Sequence, residues 1–319
     1  MKWKKYAVVV VMVVCVAWPV QARRGSSSGM EAAATALAEA ALGNHSAMKL
    51  LTDLCDTSGP RLAGSEGLVR AVDWSVKHFT ETGFSDVRKD PVEVEVWVRG
   101  AESAALLEPR ARDLHILGLG NSVGTGGKPL EAEVVAVSSF DELEALGRSA
   151  VEGRIVLYNA VFTTYRDTVP YRVDGPSRAA KLGAVGVLVR SVSPPGLATP
   201  HTGVTRYAED SPKIPAAAIV HEEANLLHRL YQAGKSVRVS LSMEAHFEPN
   251  AMSANVVADI PGREGGPEHV ILACHLDSWD VGEGAQDDGA GCVIVMEAAR
   301  LIGELKTPPR RGIRVVLFT

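Results

Sequence analysis

The chain has 319 residues, 46% hydrophobic and 22% charged, with a formal net charge of −5. That is ordinary globular sequence, enough for about two domains. An acidic balance without a basic cluster argues against nucleic-acid binding, and no lysine-rich amphipathic stretch suits a membrane surface.

Lys2, Lys4 and Lys5 precede an apolar run from Ala7 to Trp18, and Val20-Gln-Ala22 has the small-x-small form of a cleavage site. The run is too short to span a bilayer comfortably. Residues 1–22 therefore read as a signal peptide, with an uncleaved anchor as the alternative. The protein is expected to be exported without a stable membrane anchor: secreted, periplasmic or lysosomal, depending on the organism. Past the signal, Cys55, Cys274 and Cys292 show no framework spacing. Cys274 and Cys292 stand in apolar runs and read as buried small hydrophobes; whether they are bridged stays open. Cys55 has no context for a nucleophile. Asn44-His45-Ser46 is a glycosylation sequon, meaningful only in a eukaryotic secretory route.

From Met30 to Leu54 the leucine spacing predicts helix, broken near Gly43. Residues 58–64 form a turn-rich loop in which Arg61 either lines a cleft or serves the turn. Residues 68–82 are helical, with Gly83 as the stop. Val92 to Val98 alternates as a half-buried strand does. From about His115 the character changes. Short β runs (133–137, 154–158, 184–189, 216–220, 237–241), two short helices (177–182, 222–233) and proline-rich loops suggest a β-rich insert. Residues 30–114 and 246–319 are then two parts of one α/β domain, with 115–245 inserted between them. His201 and His221 lack nearby ligand partners and read as surface residues of the insert. Strands at 254–260, 269–274 and 314–318 flank a helix at 291–305 that is apolar nearly all round in its first half, as a buried helix is. Strand, loop, helix, strand is the order of a parallel crossover, whose ligands gather at strand C-terminal ends.

His275 follows such an end. After it come Asp277, Asp280, Glu283, Asp287 and Asp288, punctuated by glycines. Alone, His275-Leu-Asp277 is equally a core histidine beside a solvated acid. Alone, Asp287-Asp288 reads first as a helix N-cap. In combination, an imidazole nitrogen, carboxylate oxygens and a flexible loop make a ligand set for zinc. A carboxylate two residues past a ligating histidine commonly orients the ring. Gly118 to Gly124 only mimics a dinucleotide fingerprint: the spacing is wrong and no helix follows. No serine elbow is present.

The stretch from His275 to Gly291 resembles the co-catalytic zinc exopeptidases, the clan of bacterial leucyl aminopeptidase and glutamate carboxypeptidase, and within it the carboxypeptidase Q branch. SGPRLAGS (58–65), LEPR (107–110), LGLGNSVGT (117–125), AEVVAVSSFDEL (132–143), EGRIVLYN (152–159), TPHTG (199–203) and PKIPAAAI (212–219) look like the same branch, so the resemblance covers roughly residues 44–319. It implies an aminopeptidase-like mixed sheet with helices on both faces, interrupted by an inserted protease-associated domain. It further implies two Zn2+ per complete site. His275 would bind one zinc, Asp287 would bridge both, Asp277 would orient His275, and Asp288 would share a cis peptide with Asp287. The implied substrate is a short peptide or dipeptide, and the implied assembly a homodimer. In the family, a Glu-Glu pair directly follows the strand matching residues 314–319, supplying the general base and a ligand; a later Asp and His complete the site. None of these lies in this chain, and Glu283 and Glu297 do not occupy their positions. The chain alone is therefore expected to be inactive. The competing reading is a non-catalytic protein with a protease-associated domain, of the transferrin-receptor kind.

Overall fold

The computed structural model describes residues 27–196 and 198–319; the expected signal peptide lies outside them. Helix α1 (Ser27–Leu42) belongs to a unit ending at Asn44, and the remaining elements lie in a second unit, residues 45–319. These are α2 (Ser46–Ser58), α3 (Glu66–Glu81), β1 (Ser85–Val98), β2 (Glu102–Glu108), β3 (Arg112–Leu114), β4 (Ile116–Gly118) and β5 (Leu130–Val137). There follow α4 (Phe140–Val151), β6 (Ile155–Tyr158), α5 (Tyr165–Val173), α6 (Gly175–Lys181), β7 (Gly186–Arg190), β8 (Ala216–Ile219) and α7 (His221–Gln232). The chain closes with β9 (Arg238–Met243), β10 (His246–Ile260), β11 (His269–His275), α8 (Ala290–Gly303) and β12 (Gly312–Phe318). Among the described residues, no helix is long and apolar enough to cross a membrane.

The strands form two mixed sheets. The first runs β1-β10-β12-β11, the second β3-β2-β9-β5-β6-β7-β8-β4. In the first, β11 and β12 are parallel and joined through α8, while β1, β10 and β12 pair antiparallel. Helices α2, α3 and α8 share one buried cluster with this sheet, centred on Leu54, Phe79, Val256, Met296 and Leu317. Phe79, Met296 and Leu317 are fully excluded from water. Helix α8 departs from the all-round burial its sequence suggests. Cys292, Val293, Met296 and Ala299 are buried, but Ile294 is 60% exposed. Ile294 falls on the turn of the helix opposite the residues that face the sheet.

The second sheet has a parallel centre, β5-β6-β7-β8, with antiparallel strands at its flanks. Strand β6 is buried at every position, which suits its unbroken Ile-Val-Leu-Tyr sequence and a parallel sheet covered on both faces. One face packs against Leu227 of α7, the other against Leu143 of α4 and Ala179 of α6. Strands β2 and β3 precede His115 yet pair into this sheet, so it extends from Glu102 to Met243. Two elements in it, α4 and α5, have no counterpart among the sequence expectations. His221 is a correction: it is 3% exposed, and its Nε2 meets the Ser193 carbonyl at 2.9 Å. Burial follows from its place at the head of α7, directly after the fully buried β8.

One ion pair spans β10 and β12. Asp259 and Arg314 are cross-strand partners, and the guanidinium meets the carboxylate in two bonds, Nε to Oδ1 at 2.8 Å and Nη2 to Oδ2 at 2.7 Å. The Arg314 hydrogen bonds outweigh burial and hold the Asp259 carboxyl below the usual carboxylate range. A depressed folded-state value means the stabilisation is complete above the unfolded value, about 3.9, and is lost as pH falls through the folded one. Asp259→Asn should therefore cost about 1–3 kcal/mol in urea unfolding at neutral pH. The difference from the parent should shrink on acidification, and equal stabilities at pH 7 would contradict this account.

Candidate metal centre

The site begins where β11 ends. His275 is the last residue of that strand, opposite Phe318 of β12, and the next peptide is tied down by Leu276 N–H donating to the Phe318 carbonyl at 2.6 Å. Leu276 is fully buried and anchors the start of the loop that follows. The loop closes in one wide helical turn (Ala285–Gly289) that leads directly into α8. The Asp287–Asp288 peptide is cis.

These elements bring His275 and Asp287 together. The His275 Nε2 lies 3.1 Å from Asp287 Oδ1. The other ring nitrogen, Nδ1, meets Asp277 twice, at its Oδ1 (3.0 Å) and its carbonyl (3.1 Å). Asp288 turns elsewhere: its Oδ2 accepts from the His275 backbone N–H at 3.3 Å. A Cβ on Gly291 would lie 2.2 Å from Asp288 Oδ1, so only glycine leaves room for that carboxylate at the start of α8. Burial opposes a charge on His275, but the Asp277 and Asp288 carboxylates outweigh it and raise the imidazole above its ordinary value.

The donor set fits part of a zinc shell. An imidazole nitrogen and a carboxylate oxygen 3.1 Å apart suit two bonds of about 2.0–2.2 Å to one ion. A ring whose far nitrogen is held by a carboxylate is the usual way such a ligand is oriented. Among the described residues, no group of three or more His, Cys, Asp or Glu is placed to hold a metal. Glu297 is bound instead to Arg300, at 2.7 Å from each of two guanidinium nitrogens, and accepts from the Ser46 hydroxyl.

A cleft of about 230 Å³ opens beside the pair. His275, Asp277 and Asp287 lie on one side; Leu62, Trp97 and Trp279 provide apolar walls. Asn121, from the loop after β4, and Glu95, on β1, reach the same cleft, so both sheets contribute to it. Asn121 holds a left-handed backbone (φ 66°), a conformation asparagine tolerates better than most residues. Neither residue was marked by the sequence, because an alternating strand and a glycine-rich turn explained them already. His201 is partly buried, with Nδ1 3.1 Å from Arg172 Nη1; burial and the Arg172 cation hold its value down.

Arg61 neither lines the cleft nor stands at the surface. It is 0% exposed. Its Nε donates to Leu276 O (2.7 Å), Nη1 to Glu283 O (2.8 Å) and Gly59 O (3.2 Å), and Nη2 to Gly284 O (2.8 Å). Its backbone carbonyl and N–H both bond Ser278. One side chain thus holds the loop just after His275 and just before Asp287. Gly284 has a positive φ of 59°, and a Cβ there would sit 2.3 Å from the Ser278 Cβ and 2.8 Å from the Arg61 guanidinium. The sequence carries no local signal for this role, because Leu276, Glu283 and Gly284 lie more than 200 positions from Arg61.

Arg61→Met should leave several buried carbonyls without donors and cost about 3 kcal/mol or more. Arg61→Lys should recover only part of this, because an ammonium lacks the planar fork. Urea unfolding of both variants measures it; a loss below about 1 kcal/mol for the Met variant would show that the loop does not rely on this clamp.

Comparison with known proteins gives the fold its relatives. Residues 255–319 match the model of Peptidase family M28. Carboxypeptidase Q of Bos taurus is 45% identical over 266 residues, 83% of this chain and 56% of that protein. The crystal structure of a peptidase M28 precursor from Shewanella amazonensis superposes with a TM-score of 0.86 at 35% identity, covering 90% of this chain and 66% of that one. A zinc aminopeptidase from Bacillus subtilis shares the fold, with a TM-score of 0.61 at 18% identity over 85% of this chain and 60% of that one. The chain spans about half the length of the curated relatives it matches, 56% in the first case. With the parallel crossover, the loop and its paired His and Asp in place, the chain belongs to peptidase family M28, in its carboxypeptidase Q-type branch.

Proposed function

We propose that this chain carries half of a two-zinc exopeptidase centre, with His275 as a ligand of one zinc and Asp287 as the ligand shared by both. The observation that carries the reading is the 3.1 Å approach of His275 Nε2 to Asp287 Oδ1, with Nδ1 already held by Asp277. Zinc, when bound, would polarise a scissile carbonyl and acidify a water. The chain's own residues do the rest of the positioning. Asp277 fixes the ring so that Nε2 faces the cleft. Asp288, through the His275 backbone, holds the strand end against α8. Trp97, Trp279 and Leu62 exclude water along one wall, and Asn121 and Glu95 offer polar contacts to a short peptide or dipeptide.

The carboxypeptidase Q relatives support the carboxypeptidase or dipeptidase type of reaction, and export through the signal peptide suits the same assignment. The second sheet fits the reading of residues 115–245 as a protease-associated insert, with its strands beginning somewhat earlier, at Glu102. A homodimer is the proposed assembly.

A catalytic zinc normally has about three protein ligands and a water. The 1–319 chain should therefore bind zinc weakly by calorimetry and leave dipeptides intact. Extending it to the length of its relatives should confer tight binding and chelator-sensitive hydrolysis, both removed by Asp287→Ala. Asp277→Asn in the extended protein should weaken zinc about 10–100-fold. Chelator-sensitive turnover by the 1–319 chain, abolished by Asp287→Ala, would overturn the half-site. Unchanged zinc affinity in Asp277→Asn would remove Asp277 from its orienting role.

A further inference from the structure

The two cysteines that bracket the metal loop face each other. Cys274 is the last residue of β11 before His275, and Cys292 lies in the first turn of α8, after Asp287 and Asp288. Their sulfurs are 2.6 Å apart. Cys292 also reaches the His275 carbonyl, its Sγ lying 3.1 Å from that oxygen, which fixes the side chain toward the strand. Both residues are buried, Cys274 at 8% exposure and Cys292 at 0%. Cys55, at 8% exposure, lies in α2 beside Arg61 and is not part of this contact.

We propose that Cys274 and Cys292 form a disulfide that staples the metal loop at its two ends. A bond of about 2.05 Å needs only a small closing movement of the two free thiols from the observed contact. The ring so closed contains residues 275–291, hence both His275 and Asp287, and its covalent closure limits how far the strand end and the helix start can separate. An external disulfide such as oxidised glutathione supplies the oxidant. One cysteine thiolate attacks it, forming a mixed disulfide and releasing one glutathione thiol. The second cysteine then attacks the mixed disulfide, forming the Cys274–Cys292 bond and releasing the second thiol. The two electrons and two protons lost by the cysteines end on those two thiols. Burial of both sulfurs places the exchange before α8 docks on the sheet. Afterwards it shields the bond, as expected of a structural disulfide in an exported protein.

The inference is independent of zinc, so the test is run in chelator. The full chain, and a Cys15→Ser, Cys55→Ser variant holding only this pair, are refolded from the reduced, denatured state. The buffer contains reduced and oxidised glutathione at a secretory ratio. Free thiols are then alkylated and the protein is mapped by peptide mass spectrometry. The expected product is one cross-linked peptide pair joining Cys274 to Cys292, lighter than the two reduced peptides by two hydrogens. The bond should survive added reduced glutathione in the folded protein and be lost on denaturation. Comparing oxidised with reduced full chain by hydrogen exchange, amides of residues 284–292 should exchange about tenfold more slowly when oxidised. Alkylation of both Cys274 and Cys292 after refolding, or a cross-link from either to Cys55, would overturn the proposal. Identical exchange in the two forms would refute the stapling role. Because the full chain is assayed beside the variant, a variant that fails to fold does not decide the result.

Discussion

A buried guanidinium carries the geometry on which the rest of the site depends. Residues 276–284 have few backbone partners of their own, and a loop without partners is a loop with many conformations. Arg61 provides a nearly complete set from one point: a donor to Leu276 at one end and donors to Glu283 and Gly284 at the other. The cost of burying a cation is offset because carbonyl oxygens, which need donors wherever water is excluded, surround it. Gly284 is part of the same arrangement, since its missing side chain is what lets the loop close on Ser278 and the guanidinium. Placement of Asp287 opposite His275 thus begins with a residue more than 200 positions away in sequence.

The parts legible in sequence were those governed by one pattern at a time. Strands β11 and β12 and helix α8 have clear apolar periods and short, polar connections, and the structure places them within a few residues of where those patterns put them. The break between α1 and α2 follows Gly43, and the end of α3 stops just short of Gly83. What stayed hidden depended on tertiary partners. Strands β3 and β4 have three residues each, and β2 and β4 pair with β9 and β8, far along the chain. Helix α5 carries an internal Pro170, and α4 is interrupted by Gly147 at φ 68°, so both break the rules a single sequence is read by. Yet α4 did announce its start: Ser139 Oγ accepts from Glu142 N–H while Glu142 reaches back to Ser138 N–H, close to a capping box.

The site divides in the same way. His275, Asp277, Asp287 and Asp288 are close in sequence and of residue types that suit one chemistry, so local spacing sufficed to single them out. Asn121 and Glu95 reach the cleft from separate parts of the chain, and Arg61 meets the metal loop only through tertiary contacts. His221 shows the opposite error: a histidine without sequence neighbours for a metal looked exposed, but the strand before it carries it into the interior.

The long strands β1 and β10 pair along almost their whole length, and their last described partners are Trp97 with Phe247 and Val98 with His246. The chain therefore leaves the first sheet for the second, and returns from it, through two residues that face each other across one ladder. An excursion of that kind begins and ends at the same place. A tight hairpin could join Val98 to His246 without shifting the register of either strand. Topologically, the whole second sheet hangs from one rung of the β1–β10 ladder, and β11, which presents His275, lies at the far edge of the first sheet.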